Sequence, residues 1–245
     1  MSDEIVIVVG MGEVGKPLFN ILNRSYQCIG VDVQPVEVTR PCSVLHVCFP
    51  FQIGTFVQTS CEYISRYKPR FAVVNSTVAP GTTREILEQS GAHIAYSPVR
   101  GKHAKMEADM LRYRKFVGAD DPKVADAVIQ HFAGAGFKTD RFRNSTVGEL
   151  SKLIETTWLG VLVSWAQEIE RLAENYDATY DEVNSYIEEI DFLPRVFPGV
   201  IGGHCVMPNI EILRAALQSD FLDNIVRGNE LKINQMKSNA ESVRA

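Results

Sequence analysis

The segment Ile5-Val6-Ile7-Val8-Val9-Gly10-Met11-Gly12-Glu13-Val14-Gly15 decides the fold. Five consecutive β-branched apolar residues read as a parallel strand buried on both faces. The glycines that follow have G-x-G-x-x-G spacing and open a helix over Val14–Asn23, with Val14, Leu18, Ile21 and Leu22 on one face. Strand, glycine-rich turn and helix in this order form a dinucleotide-binding fingerprint. Gly10 permits the tight turn, Gly12 lets the backbone approach a pyrophosphate, and Gly15 lets helix and strand pack closely. The helix N-terminus then faces the phosphates, with Glu13 and Val14 inside the same cradle. The second apolar run ends in Asp32, 17 residues beyond Gly15, against the ~20 expected of the acid that binds the ribose hydroxyls. A carboxylate there repels a 2′-phosphate, and neither Val33 nor Gln34 supplies a cation to accept one. The cofactor expected is NAD rather than NADP.

Working outward, strands alternate with helices through the first half. Strands are expected at Gln27–Val33, Val44–Phe49, Phe71–Asn75, Ala92–Tyr96, Lys115–Val117 and Phe137–Arg141, the last closing the series. Helices are expected at Ile53–Tyr67, Thr82–Gln89 and Pro122–Ala135, the last started by proline. That alternation means a doubly wound parallel sheet. From Ser145 the pattern changes: Leu150, Leu153, Ile154, Thr157, Trp158, Val161, Leu162, Trp165, Ile169 and Leu172 recur at three and four residues. They predict one helix of about 30 residues, long against the usual ~11–12. Its apolar stripe widens in the middle to nearly all faces, which calls for burial on most sides, by a second subunit among other means. A helix at Tyr180–Ile190, a Gly- and Pro-rich loop at Val196–Pro208 and a helical tail from Ile210 follow. The fold class is α/β: a Rossmann-type doubly wound parallel sheet, then a long helix and a small helical domain. The division expected is an NAD-binding domain over 1–144 and a helical domain over 145–245.

Of the 245 residues, 45% are hydrophobic and 22% charged, values of a globular chain rather than of a disordered or fibrous one. The longest apolar run, Trp158–Ala166, is interrupted by Gly160 and Ser164 and is far short of the ~20 residues of a membrane span. Met1-Ser2-Asp3-Glu4 is acidic where a signal peptide is basic, so a soluble cytoplasmic protein is expected. Lys and Arg number 25 against 30 Asp and Glu, a net charge of −5, which speaks against nucleic acid as a partner. The five cysteines contain no CxxC pair, against both a zinc site and a disulfide framework. Cys28 and Cys48 fall in apolar runs and read as small core residues.

Several further stretches carry a family resemblance: Gly30-Val31-Asp32, Asn75-Ser76-Thr77-Val78-Ala79-Pro80-Gly81-Thr82-Thr83, Ser97-Pro98-Val99-Arg100, Glu149-Leu150-Ser151-Lys152-Leu153 and Gly202-Gly203-His204-Cys205. Together with the N-terminal glycines, and in this order, they resemble the UDP-glucose/GDP-mannose dehydrogenase family, most closely its N-acetyl-aminosugar branch. The resemblance implies NAD-dependent oxidation of a nucleotide-sugar alcohol, with Cys205 attacking an aldehyde intermediate and Lys152 steadying the developing oxyanion. Ser76 and Thr77 fall where hydroxyls near NAD belong, and Arg100 and His204 are supporting residues. His204 beside Cys205 either favours its thiolate or shapes the loop.

The departures from the family pattern are specific. Val99 stands where the family has the glutamate that handles water, Thr156 where an asparagine follows the lysine by one turn, and Asn209 where an aspartate follows the cysteine. Val99 transfers no proton and Asn209 cannot ionise. About eleven residues separate Asp32 from the third strand, where the family has several dozen. The chain ends at Ala245, before the family's second Rossmann-like domain, so a smaller or sugar-like substrate, or a partner that completes the site, is expected. Three readings follow: an NAD-dependent dehydrogenase acting on an alcohol or aldehyde; a non-catalytic NAD-binding sensor or scaffold; or a hydroxyacid-type dehydrogenase with Lys152 as general base and no covalent step. A homodimer through the Ser145–Asn175 helix is expected.

Overall fold

The computed structural model describes residues 3–242 apart from 35 and 53. Met1 and Ser2 of the acidic N-terminus, and Ile53 at the expected start of a helix, lie outside the described residues. The chain divides into two compact units, Met1–Lys152 and Leu153–Ala245.

In the first unit, strands β1 (Ile5–Val9), β2 (Cys28–Val31), β3 (Cys42–Val47), β4 (Phe71–Val74) and β5 (Ile94–Tyr96) form one sheet in the order β2-β1-β3-β4-β5. Every pairing is parallel. All five side chains of β1 are buried, as expected of a strand covered on both faces. Helix α1 (Gly15–Leu22) returns the chain to β2, and it buries Leu18, Ile21 and Leu22. The connection 32–41 contains no helix among the described residues and leads β2 directly to β3, on the far side of β1. The order of strands therefore reverses between β1 and β3, the place where open α/β sheets bind ligands. Helices α2 (Phe56–Tyr67) and α3 (Thr82–Ser90) link the next pairs. Two apolar layers result. One gathers Val6, Val8, Leu18, Val73, Val128 and Phe132, and the other Ile5, Ile7, Val9, Leu45, Phe56 and Ile86.

The end of this unit differs from the expectation of one continuous sheet. A 3-10 turn at His103–Lys105 and helix α4 (Met106–Arg112), neither foreseen, precede β6 (Lys115–Val117). Helix α5 (Pro122–Gly134) starts with Asp121 accepting from the Lys123 amide and Pro122 in its first turn. Strand β7 (Thr139–Arg141) then pairs with β6 in a separate two-stranded sheet. A single antiparallel bridge, Tyr96 to Gly118, marries that ribbon to β5. Gly118 also lets the segment at Asn144 pass close by, since a Cβ there would lie 2.3 Å from the Asn144 carbonyl oxygen.

Helix α6 (Ser145–Glu174) spans 30 residues, as its periodicity predicts. The second unit adds α7 (Tyr180–Glu188), α8 (Val206–Ala216) and α9 (Asp220–Ser242). Two expectations are corrected here. The loop stops at Cys205, because Pro208 sits in the first turn of α8, where proline costs no hydrogen bond. The tail is two helices rather than one, parted at residues 217–219. The core of this unit is Leu153, Ile201, Val206, Ile210, Leu213, Leu222 and Ile225. Gly160 admits α8 against α6, since a Cβ there would meet Ile210 Cδ1 at 2.8 Å and Val206 Cγ1 at 3.0 Å. Burial of α6 is less complete than its pattern suggests: Trp158 is 63% and Trp165 59% exposed. No helix among the described residues is long and apolar enough to cross a membrane.

Candidate functional site

The glycine-rich turn has the geometry that its spacing foretells. Gly10 adopts φ +89°, in the region that favours glycine, and its amide donates to the Val31 carbonyl at 2.8 Å. A Cβ on Gly15 would lie 1.8 Å from the Gly10 carbonyl oxygen, whereas one on Gly12 would meet nothing within 4 Å. The turn is thus closed underneath and open at Gly12. Helix α1 begins at this opening with Val14 as its N-cap residue and no side-chain cap, leaving its positive end directed at the turn. Glu13 is exposed and Val14 half-buried beside it.

Asp32 stands exposed just past β2 and lines a cleft of about 400 Å³ with Gly10, Phe49, Thr55, Thr59 and Tyr63. The Phe49 ring lies 4.8 Å from Phe56 and 6.0 Å from Tyr63, forming an aromatic wall. Sequence reading missed this wall, although Phe49 lies two residues beyond the strand that forms the switch point. A larger cavity, about 680 Å³, opens at the amino ends of the strands and is lined by Glu4, Arg24, Arg70 and His131. Its arginines are paired, Arg24 with Glu107 at 2.7 Å and Arg70 with Glu4. The smaller cleft is the one that joins a glycine turn to an acid.

Two loops border the carboxyl ends of β4 and β5. After β4, the Ser76 hydroxyl donates to the Phe49 carbonyl at 2.6 Å, tying the loop to the end of β3, and Thr77 is half-buried beside it. After β5, Val99 is buried and the Arg100 guanidinium lies 5.4 Å from the Phe116 ring centre. Glu149 on α6 is fully buried, and its carboxylate accepts from the Gly81 amide at 2.6 Å and the Thr83 amide at 2.8 Å. It therefore caps α3, whose N-cap residue Gly81 has no side chain to do so. Burial raises the Glu149 carboxyl above its ordinary range, and the bonds from Thr83 and Gly81 act against that. Lys152, half-buried, lies three residues further along the same helix.

In the second unit, the two replaced positions meet. Asn209 Nδ2 donates to Thr156 Oγ1 at 3.1 Å, and that hydroxyl donates onward to the Leu153 carbonyl at 3.0 Å. A neutral pair thus occupies the positions where the resemblance implies an asparagine and an aspartate. Cys205 and His204 are exposed, and Cys205 is the N-cap residue of α8. Burial pushes the Cys28, Cys42 and Cys48 thiols up to about 12, and it also raises that of Cys61. The loop leading to Cys205 is anchored by Asn229, which accepts from the Ile201 amide at 2.7 Å and donates to its carbonyl at 3.1 Å. Gln167 bridges the Gly199 carbonyl at 2.7 Å and Asn229 Oδ1 at 3.3 Å. Neither amide was singled out from sequence, since nothing local links positions 62 residues apart. Among the described residues, no group of three or more His, Cys, Asp or Glu is placed to hold a metal ion.

Comparison with known proteins agrees with the motifs. Residues 146–236 match the UDP-glucose/GDP-mannose dehydrogenase family, central domain. The UDP-N-acetyl-D-mannosamine dehydrogenase of Pyrococcus horikoshii is 25% identical over 179 residues, 67% of this chain and 42% of that one. The UDP-N-acetyl-D-glucosamine 6-dehydrogenase of Salmonella typhi is 24% identical over 264 residues, 83% of this chain and 61% of that one. The chain therefore matches about half the length of these curated relatives. A solved structure of UDP-D-ManNAc dehydrogenase from Pyrococcus horikoshii superposes with a TM-score of 0.78 at 18% identity, over 92% of this chain and 68% of that one. At that identity the likeness shows the fold alone. The family resemblance read from the motifs is borne out.

Proposed function

We propose, from the premise that residues 146–236 match the central domain of the UDP-glucose/GDP-mannose dehydrogenases, that the chain is an NAD-dependent oxidoreductase. It acts on an alcohol or aldehyde group of a sugar-like or small substrate. The observation that carries this reading is the cleft at the switch point, where Gly10 and Asp32 share one wall. The residues fit the cofactor: an opening at Gly12 that no atom fills, an uncapped helix start beside it, and an exposed carboxylate. Gly10, Gly12, Glu13, Val14 and Gly15 would receive the pyrophosphate, Asp32 the ribose hydroxyls, and Ser76 and Thr77 the nicotinamide end. NAD supplies a hydride acceptor, which none of the twenty side chains offers.

The roles of the remaining residues rest on the family motifs. Cys205, the exposed thiol, is the nucleophile that captures an aldehyde carbon, and Lys152 is the cation that steadies the oxygen. Arg100 and His204 support substrate and loop. Thr156 and Asn209, a neutral bonded pair, hold α8 against α6 and transfer no proton. With Val99 apolar and buried, release of a thioester by water is slow, so oxidation stops at the aldehyde or an acyl-enzyme accumulates. The same neutral pair favours a second reading, a non-catalytic NAD-binding protein.

Calorimetric titration tests the cofactor: NAD binds, NADP binds at least about tenfold more weakly, and Asp32→Ala removes the difference. Equal affinity of the wild type for both sinks the cofactor assignment. Iodoacetamide labelling mapped by mass spectrometry separates the two readings of the chemistry, with Cys205 reacting first of the five cysteines in the enzyme. Labelling no faster than at Cys61, without NADH formation from nucleotide sugars or small alcohols, leaves the non-catalytic reading.

A further inference from the structure

Lys115 of β6 is 3% exposed, yet its ammonium contacts no carboxylate among the described residues. Its three protons meet three acceptors: Asn75 Oδ1 at 3.2 Å, the Ser97 carbonyl at 2.7 Å and the Pro98 carbonyl at 3.0 Å. Asn75 opens the loop after β4, and Ser97 and Pro98 form the loop after β5. The lysine thus sits between the two loops that carry Ser76, Thr77, Val99 and Arg100. A charged lysine has three donors and a neutral one has two, so the protonated form alone fills the set.

The neighbours fix the direction of every bond. With Oδ1 turned to Lys115, Asn75 Nδ2 donates to His46 Nδ1 at 3.2 Å and to the Val73 carbonyl at 3.1 Å. His46 therefore carries its proton on Nε2 and donates to His131 Nε2, 3.0 Å away. The Phe132 ring of α5 adds a face 5.0 Å from the ammonium. The chain Lys115–Asn75–His46–His131 is a run of dipoles aimed by one cation and built from neutral groups.

We propose that Lys115 is a positioning residue whose ammonium holds the Asn75–Pro80 and Ser97–Arg100 loops in register, and that loss of its proton loosens both. It rests, for its bearing on function, on the reading that these loops border the cofactor. The groups facing Lys115 are His46 of β3, Cys48 just beyond it, Asn75 beyond β4 and Lys152 of α6, with His131 of α5 behind His46. Burial keeps His46 and His131 neutral and the Cys48 thiol protonated. Burial brings Lys115 down to about 7, with Cys48 acting against that and the Lys152 cation adding to it. The proton is therefore exchanged near neutrality, at a point where both loops are attached to it.

Hydrogen exchange on the full chain, corrected for the intrinsic pH dependence, tests this. Between about pH 6 and about pH 8.5, protection of residues 75–80 and 97–101 in the wild type falls about tenfold, while β1 and β3 keep theirs. In Lys115→Met the loops start at the lower protection and the pH step vanishes. Equal loop protection at both pH values in the wild type overturns the proposal, and so does a variant that retains the step. Should the variant fail to fold, the wild-type profile decides alone. Calorimetry with NAD at the same two pH values is read separately: absence of binding at both overturns the cofactor reading and leaves the exchange result standing.

Discussion

The two units solve the burial problem differently. In the first, the sheet has an apolar layer on either side and buries Tyr96, Phe56 and Phe132 completely. In the second, Trp158, Trp165, Phe192, Phe197 and Phe221 are all more than half exposed. Parallel strands with crossover helices are covered on both faces by construction, whereas four helices offer more faces than they can pair. On α6 the exposed residues Leu150, Ile154, Trp158, Trp165 and Leu172 follow helical spacing and form one stripe. A stripe of that length supports a homodimer through α6, which we propose. The first unit is thus limited by local backbone fit, and the second by what covers it.

The largest effect expected tests the backbone fit. Gly15→Ala puts a methyl group 1.8 Å from the Gly10 carbonyl oxygen, an atom that cannot move away without opening the turn. We expect a loss of about 3 kcal/mol or more in urea unfolding, together with loss of NAD binding. An unchanged midpoint would mean that the turn is far more pliable than a buried sheet end permits.

Next comes the exposed stripe. Replacing Trp158 and Trp165 together by serine leaves the first unit untouched, and it should weaken self-association by at least about tenfold. Light scattering across a concentration series checks it. A wild type that is monomeric at every concentration rejects the dimer proposal, and the exposed stripe then needs a different partner.

A smaller effect is expected inside the second unit. Asn229→Ala removes two bonds to Ile201 and the bridge from Gln167. The expected cost is about 1–3 kcal/mol, with faster proteolysis within residues 199–204. Retention of wild-type cleavage rates would show that the loop is held by the apolar contacts of Ile201 instead.

The smallest effect concerns Glu149. Burial raises its carboxyl in the folded chain, so the folded state takes up a proton more readily than the unfolded one. Stability from this group is complete below the ordinary carboxylate value and is lost as pH rises through the raised one. Relative to Glu149→Gln, the wild type should gain in urea midpoint as pH falls from about 7 to about 5. A constant difference between the two proteins would remove the assigned shift.

What the sequence determined by itself is what short windows can carry. The glycine spacing dictated a turn with a positive φ at Gly10 and an open seat at Gly12, because backbone sterics act within a few residues. The period of α6 set its 30-residue length for the same reason. The wrong ends were local competitions: Pro208 reads as a breaker, yet it is harmless in a first turn, and Phe137–Arg141 reads as the seventh strand of the sheet, yet it pairs with β6 alone. Tertiary structure decided the rest. Lys115 lies 40 residues from Asn75, and His46 lies 85 from His131. No pattern in the chain announces such pairs, because a buried polar group finds its partner through packing rather than through sequence spacing. The Thr156–Asn209 bond has the same origin: two substitutions read separately as losses are one contact in the fold, joined because Gly160 lets α8 close on α6.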